Sequence, residues 1–271
     1  MRGEFDQVYE TARRALLDAL QALEDQLDAV VVVGAQAIYL QTGDAEFAVA
    51  PYTTDGDIAL DPGALRDHPQ LSDAMRAAGF VPDAEQPGTW IGTGAVRIDL
   101  MVPAALAGPG RRGARLGTHG NRTARRARGL EAALIDNAPM RVGSLEPMDQ
   151  RCFLVRVAGP AALLIAKLHK LADRQGDAGR LNDKDALDVY RILRGVSTAD
   201  LAARSRRVLD SGLGREVALI AIKDLASMFA MPTAPGCQMA ARALVPLEDP
   251  EETGASCAAL TTDLLRLLPP A

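Results

Sequence analysis

The sequence predicts an α+β protein in which a small mixed sheet with helices is followed by a helical C-terminal region. Short segments with strand patterns occur at 29–33, 54–60 and 95–102. In the second half of the chain, apolar residues recur at helical spacing instead. We therefore divide the chain into a predicted sheet-containing core, residues 1–150, and a predicted helical domain, residues 151–271.

Composition places the chain among globular proteins. Of its 271 residues, 48% are apolar and 24% are charged, and the net charge of −5 argues against nonspecific coating of nucleic acid. The three cysteines and three histidines are dispersed, so their spacing does not predict a structural zinc site. No apolar run approaches the roughly 20 residues of a membrane helix, and Glu4 and Asp6 are not typical of a secretory signal. We therefore expect a cytoplasmic protein with no membrane partner.

The first half alternates helical and strand patterns. The opening helix has leucines and alanines at helical spacing, and the first strand is a valine run that ends at Gly34. Gly79 ends the helix that precedes the last two strands. The predicted elements are a helix at 5–27, a strand at 29–33, a helix at 35–42, a loop at 43–53, a strand at 54–60, a helix at 64–78, and strands at 89–91 and 95–102.

Helices account for the second half. The dipeptide Gly159-Pro160 opens a strong helical pattern, since proline is tolerated in the first turn of a helix. Polar loops separate this helix from those that follow. The predicted segments are a helix at 161–174, a loop at 175–182, a helix at 184–193, and helices from 198 onward with breaks at 232–236 and 248–254.

Asp55 and Asp57 are the strongest candidates for chemistry. Side chains alternate along a strand, so these two carboxylates project from one face. Like charges at this spacing repel each other unless a cation such as Mg²⁺, which prefers oxygen ligands, lies beside them. Asp99 on a later strand is a candidate third metal ligand, because three carboxylates commonly hold the two cations of nucleotidyl transfer, although Arg97 could pair with it. Asp-Gly also favours turns, so a solvated turn is the alternative.

The glycine turn at Gly34-Ala35 is a second candidate. A tight turn between a strand and a helix lets backbone N–H groups approach a phosphate, so both residues are candidate nucleotide contacts. Any tight strand–helix turn favours glycine, which is the simpler explanation of Gly34.

A third candidate is the cationic face of the helix at 161–174. Lys167, Lys170 and Arg174 follow helical spacing, and this face could bind a triphosphate. Spacing alone favours a solvated polar face instead. The same alternative applies to Asp183, Asp185 and Asp188 on the next helix.

The segment 108–129 is strongly basic. It contains no acidic residue and no Phe, Tyr or Trp that would stack on bases. We predict a basic loop that leads into a short helix and contacts the phosphates of RNA; a mobile basic loop is the alternative. Its cations are Arg111, Arg112, Arg115, Arg122, Arg125, Arg126 and Arg128.

These motifs together resemble the AbiEii-type nucleotidyltransferases, which include the MenT toxins of toxin–antitoxin systems and belong to the DNA polymerase β-like superfamily. The resemblance spans about residues 30–193. It is carried by the valine run with Gly34-Ala35, by Thr53-Thr54-Asp55-Gly56-Asp57-Ile58, by the helix that contains Lys167, and by Lys184-Asp185-x-x-Asp188-Val189. Where this chain has Ala35, the family often has serine or glycine.

The resemblance implies a nucleotidyltransferase core at 1–150, with a helical domain at 151–271 that completes the active site. It implies Mg²⁺ and a nucleoside triphosphate, with Asp55 and Asp57 as metal ligands. Lys167 would contact the triphosphate, and Asp185 would complete the catalytic set. For MenT toxins the acceptor is the 3′ end of tRNA, and a cognate antitoxin protein is a possible partner.

We therefore expect a Mg²⁺-dependent nucleotidyltransferase that modifies RNA, in the manner of a toxin. Transfer to a small molecule or to a protein side chain is the alternative among enzymes. A non-catalytic binding module with this fold is the alternative outside enzymes. Only Ala35 favours the binding module.

Overall fold

A computed structural model of the chain describes residues 4–43, 53–174 and 183–269. The described residues form a mixed sheet with helices and a helical C-terminal region, which confirms the predicted fold class. The chain divides into two compact units. The first contains Met1–Ala37 and Ala50–Ala158, and the second contains Ile38–Val49 and Gly159–Ala271.

In the described residues, the sheet of the first unit has eight strands. Seven lie in the order β3-β4-β5-β2-β1-β8-β7, and β6 pairs with the end of β5 beyond β4. Parallel and antiparallel pairs are mixed, since β1 pairs antiparallel with β2 and parallel with β8. The strands are β1 Val30–Val33, β2 Asp55–Leu60, β3 Val81–Pro82, β4 Thr89–Ile91, β5 Arg97–Pro103, β6 Arg125–Ala127, β7 Asn137–Gly143 and β8 Cys152–Ala158.

The core of this unit lies between the sheet and its first helix. Helix α1, Glu4–Ala22, contacts β2 and β5, and its residues Leu16, Leu17 and Leu20 are fully buried. A Cβ at Gly56 would lie only 2.8 Å from Ile98 Cδ1, so glycine at this position lets the packed side chains approach the strand. The other helices of the first half are α2 Gly34–Thr42 and α3 Leu71–Ala77.

Three predicted elements differ from the structure. The opening helix ends at Ala22 and gives way to a 3₁₀ segment, Glu24–Ala29. The helix predicted at 64–78 covers only α3, because Pro69 has no amide hydrogen and blocks the preceding residue from helical geometry. The short helix predicted in 108–129 is only a 3₁₀ turn, Gly117–His119, and the segment ends in strand β6, which pairs with β5.

The hairpin of β7 and β8 was not predicted. Strand β8 pairs with the central strand β1, so the sheet continues past residue 150 and its last strand ends at Ala158. Sequence alternation in β8 is irregular, and Arg156 interrupts the apolar run.

The second unit consists of packed helices. In α4 the apolar side of the helix is buried, and the His169 ring bonds the Val217 carbonyl at 2.9 Å. The predicted breaks at 232–236 and 248–254 overlap helix starts, because Pro235 and Pro250 occupy first turns. The loop predicted at 175–182 lies outside the described residues, as does most of the loop at 43–53. The helices are α4 Pro160–Ala172, α5 Asp183–Gly195, α6 Thr198–Asp210, α7 Arg215–Phe229, α8 Pro235–Leu244 and α9 Pro250–Leu267.

Across the described ranges, none of these helices is long and apolar enough to cross a membrane.

Candidate active site

Asp55 and Asp57 lie at the start of β2, on one face of the strand. The residues between and after them, Gly56 and Ile58, are buried, whereas both aspartates are partly exposed. Strand register places Asp57 opposite Val33 of β1 and beside Asp99 of β5. The predicted strand therefore brings Asp57 and Asp99 onto neighbouring strands.

Asp55 is held in place by its neighbours. The Thr53 hydroxyl donates to Asp55 Oδ1 at 2.6 Å, and the Gln36 side-chain amide donates to the Asp55 carbonyl at 3.1 Å. Thr53 is fully buried, so its hydroxyl is fixed within the fold. The Thr53 bond orients the carboxylate and leaves it acceptor capacity for a cation.

The turn at Gly34 adjoins the second carboxylate. Gly34 has a φ of +72°, a left-handed backbone that favours glycine. A Cβ at this position would lie 2.0 Å from Asp57 Oδ2, so the carboxylate occupies the space that a side chain would need. Ala35, by contrast, is buried. Glycine at position 34 therefore serves both the turn and the position of Asp57.

We expect Gly34→Ala to lose more stability than Gly79→Ala. Gly79 has a similar φ of +86°, but a Cβ there would meet nothing within 4 Å. The control variant should lose about 1–2 kcal/mol from the left-handed backbone alone. Gly34→Ala must also displace the Asp57 carboxylate. Urea unfolding of both variants measures the difference, and equal losses would show that the contact with Asp57 contributes nothing.

Asp99 has two partners that the sequence did not indicate. The Thr89 hydroxyl donates to Oδ1 at 2.7 Å, and Arg125 Nη2 donates to Oδ2 at 2.9 Å, with Nε at 3.3 Å. Asp99 therefore pairs with an arginine of the basic segment, and Arg97 lies beside Asp55 in the strand register. Both oxygens of the Asp99 carboxylate accept hydrogen bonds.

Asp55 and Asp57 fit a divalent cation better than Asp99 does. Their carboxylates are hard oxygen donors, share a face and remain partly exposed. Asp99 is already neutralised by Arg125. Within the described ranges, no group of three or more acidic, histidine or cysteine side chains is arranged to hold a metal ion.

A second cluster of charges belongs to the helical unit and is described by itself. Lys167 Nζ lies 2.8 Å from Asp185 Oδ1 and 2.6 Å from Asp188 Oδ2. All three side chains are buried, and that of Lys167 is only 8% exposed. The solvated face that spacing favoured is therefore wrong for Lys167, Asp185 and Asp188.

The outer part of this cluster is more accessible. Lys170 Nζ lies 3.0 Å from Asp185 Oδ1, and Arg174 Nη1 lies 2.9 Å from Asp185 Oδ2. The side chain of Lys170 is 45% exposed and that of Arg174 is 26% exposed. Asp185 thus joins three cations, and Lys170 and Arg174 keep donors towards solvent for an anionic ligand.

Electrostatics keep the buried pair charged. Burial alone would lower the pKa of Lys167, but the nearby carboxylates of Asp188 and Asp185 outweigh it and raise that pKa above its usual value. Burial would raise the pKa of Asp185, but Lys167 and Lys170 outweigh it and lower that pKa. Lys167 is therefore a cation at neutral pH and cannot act as a general base.

This cluster predicts a loss of stability in acid. Because the pKa of Asp185 is lower in the folded state than its ordinary 3.8, the unfolded state takes up the proton first. The stabilisation is complete above about pH 3.8 and is lost as pH falls through the folded-state pKa. We expect the stability difference between wild type and Asp185→Asn, measured by urea unfolding, to shrink below that pH. A difference that stays constant would contradict this role of Asp185.

The arginines of the basic segment divide into two sets. Arg122 donates to the Ala84 carbonyl at 2.6 Å, Arg126 donates to the carbonyls of Gly110 and Ala104, and Arg125 pairs with Asp99. These three therefore attach the segment to the rest of the unit. The side chains of the other four are exposed to solvent. The exposed set comprises Arg111, Arg112, Arg115 and Arg128.

The sequence did not indicate Thr89 or the Asp99 contact of Arg125. The sequence predicts a strand at Thr89 without a role for its side chain, and Arg125 is one of seven similar arginines. The pairing of β4 and β6 with β5 brings both side chains to Asp99. A strand pattern at 125–127 would have indicated the pairing of this segment with β5, but three residues are too few to show such a pattern.

The chain matches no protein-family model, no curated protein and no solved structure. Support for a function therefore comes from the geometry of these residues. Among the described residues, the aspartates of the first unit and the lysine cluster of the second are candidate sites.

Proposed function

We propose that the protein is a Mg²⁺-dependent nucleotidyltransferase that transfers a nucleotide from a nucleoside triphosphate to RNA. One observation carries the proposal: Asp55 and Asp57 share a strand face, and the Asp57 carboxylate lies against the Gly34 turn at the end of β1. Two carboxylates, which are hard oxygen donors, thus lie beside a turn and the first residues of a helix, an arrangement that suits a cation with a phosphate.

The transfer requires a simple exchange of bonds. The acceptor hydroxyl oxygen bonds to the α-phosphorus, the bond between the α- and β-phosphates breaks, pyrophosphate leaves, and the hydroxyl proton passes to water. A divalent cation on Asp55 and Asp57, when bound, neutralises phosphate charge and lowers the pKa of the hydroxyl. The chain itself orients Asp55 through Thr53, and positions Asp57 by the shape of the Gly34 turn.

The helical unit, taken by itself, presents a cationic cluster. Lys170 and Arg174 are partly exposed and fixed by Asp185 beneath them, which suits phosphate binding. Lys167 lies deeper and neutralises Asp185 and Asp188, so its proposed part is to support the cluster.

The test is direct. We expect that total RNA incubated with Mg²⁺ and each α-labelled nucleoside triphosphate in turn will become labelled, and that EDTA will prevent this. Label on a small molecule or on protein would support the other acceptors, and absence of any label would favour a binding module. A toxin role predicts growth arrest on expression in bacteria, relieved by Asp57→Asn.

The exposed arginines supply the case for RNA. We expect replacement of Arg111, Arg112 and Arg115 by Gln to weaken RNA binding and to flatten its dependence on salt. Each lost phosphate contact should reduce the slope of log affinity against log salt by about 0.7 for a single strand. Filter binding at several salt concentrations measures both quantities.

Arg207→Gln is the control, because Arg207 lies on α6 of the helical unit and its loss reports the effect of removing an arginine outside the basic segment. Triphosphate binding should not change in the triple variant. If the salt dependence of RNA binding is the same in the triple variant as in wild type, this segment does not bind RNA. If the triple variant binds RNA normally but is no longer inhibited by an antitoxin, the segment binds that protein instead.

A further inference from the structure

Strand register makes Asp99 the natural third ligand of a metal site, yet its contacts oppose that role. Asp57 and Asp99 are direct partners on neighbouring parallel strands, so their side chains emerge on the same face. Even so, Asp99 Oδ1 is bonded by Thr89 and Oδ2 by Arg125. A charge-assisted bond from a guanidinium occupies the oxygen that a cation would use.

The partner arginine is placed by the fold. Strand β6 runs parallel to β5 with Met101 beside Arg125, and Arg126 anchors the segment through the carbonyls of Gly110 and Ala104. The Gly113 backbone bridges to Arg125 from the other side. Arg125 is therefore held on both sides, and its guanidinium reaches Asp99 from a fixed strand.

We propose that Arg125 takes the place of a second cation at Asp99, so that the aspartate site holds one divalent cation, on Asp55 and Asp57. This inference rests on the proposed function. Asp99 and Arg125 pair with each other, so Asp55 and Asp57 are the carboxylates proposed to hold the divalent cation. Arg125 has further N–H donors beyond the two that contact Asp99, and its side chain is 35% exposed. It can therefore contact a phosphate oxygen while it neutralises Asp99.

The experiment counts bound Mn²⁺, added alone, by electron paramagnetic resonance of the free ion in titrations of the full chain. We expect one Mn²⁺ per chain in wild type and none in Asp57→Asn. The decisive variant is D99N/R125Q, which removes both members of the pair and leaves the net charge unchanged. It should still bind one Mn²⁺, with a dissociation constant within about twofold of wild type, as for an independent site.

R125Q alone frees the Asp99 carboxylate and should add a second, weaker Mn²⁺ per chain. R97Q removes a charge from the same strand, β5, without touching this pair, and should keep one site. Thermal unfolding shows whether each variant folds. If R125Q does not fold, the number of Mn²⁺ ions bound by D99N/R125Q tests the inference.

Two Mn²⁺ ions on wild type, with one lost in D99N/R125Q, would overturn this inference and leave the proposed function standing. A single site in a folded R125Q would also overturn it, because the guanidinium would then not be what excludes the cation. If wild type bound no Mn²⁺, the divalent cation of the proposed function would be wrong, and this inference would be wrong as well.

Discussion

Replacement of Asp57 by Asn is expected to abolish nucleotide transfer and leave the fold intact. The change keeps the size of the side chain beside Gly34 but removes the negative charge that a divalent cation needs. Loss of even an indirect partner of a metal ligand costs about 10–100-fold in activity, so loss of a ligand should cost at least about 100-fold. Initial rates of label transfer, compared with thermal unfolding of the same samples, measure both effects.

Asp61→Asn is the matched control for this variant. Asp61 directly follows β2, and its carboxylate accepts only a turn hydrogen bond from the Gly63 amide among its described contacts. An asparagine can accept the same bond, so transfer should stay close to that of wild type. Normal transfer by Asp57→Asn would remove Asp57 from catalysis, and equal losses in both variants would point to a general effect of charge.

Asp55→Asn should behave nearly as Asp57→Asn does. Its carboxylate also accepts from Thr53, and an asparagine oxygen can keep that bond. Any loss of transfer activity in Asp55→Asn therefore reports the loss of the negative charge alone. A much smaller effect at Asp55 than at Asp57 would indicate that Asp57 dominates cation binding.

Replacement of Lys167 by Met should destabilise the protein by about 3–5 kcal/mol, the usual result of removing one partner from a buried ion pair. The change leaves Asp188 without its cation and Asp185 with only the outer cations Lys170 and Arg174. Lys170→Met is the control, because that side chain is 45% exposed and exposed pairs contribute about 1 kcal/mol or less. Urea unfolding gives both values.

Two further measurements separate support of the fold from contact with the triphosphate. The triple variant K167M/D185N/D188N removes the buried charges together and should regain much of the lost stability. Titration calorimetry with a nucleoside triphosphate should show weaker binding for Lys170→Met and Arg174→Met. If Lys167→Met kept its stability but lost triphosphate binding, Lys167 would be a direct phosphate contact, as the resemblance implies, and the structural role proposed for it would be wrong.

Local patterns predicted the elements that carry the aspartates. The valine run, the Gly34 turn and the strand of Asp55 and Asp57 lie where the sequence places them, within one or two residues. Alternation along a strand is a property of the backbone, so a few residues suffice to place two carboxylates on one face. A glycine with positive φ is likewise a local requirement.

The surroundings of those residues depended on tertiary contacts. Lys167, Lys170 and Arg174 look alike in sequence, yet only Lys167 is enclosed, because α5 packs against α4 and brings Asp185 and Asp188 to it. Helical spacing gives the direction of a side chain and says nothing about what covers it. The depth of each cation was therefore decided by packing.

The same distinction applies to Asp99. The sequence determined that it lies on a strand and offered Arg97, two residues away, as its nearest cation. The tertiary structure paired it with Arg125 through the register of β5 with β6. Backbone stereochemistry fixes which face a side chain takes within a strand. Its ion-pair partner depends on which distant segment forms the neighbouring strand, and that choice is set by burial and hydrogen bonding over the whole sheet.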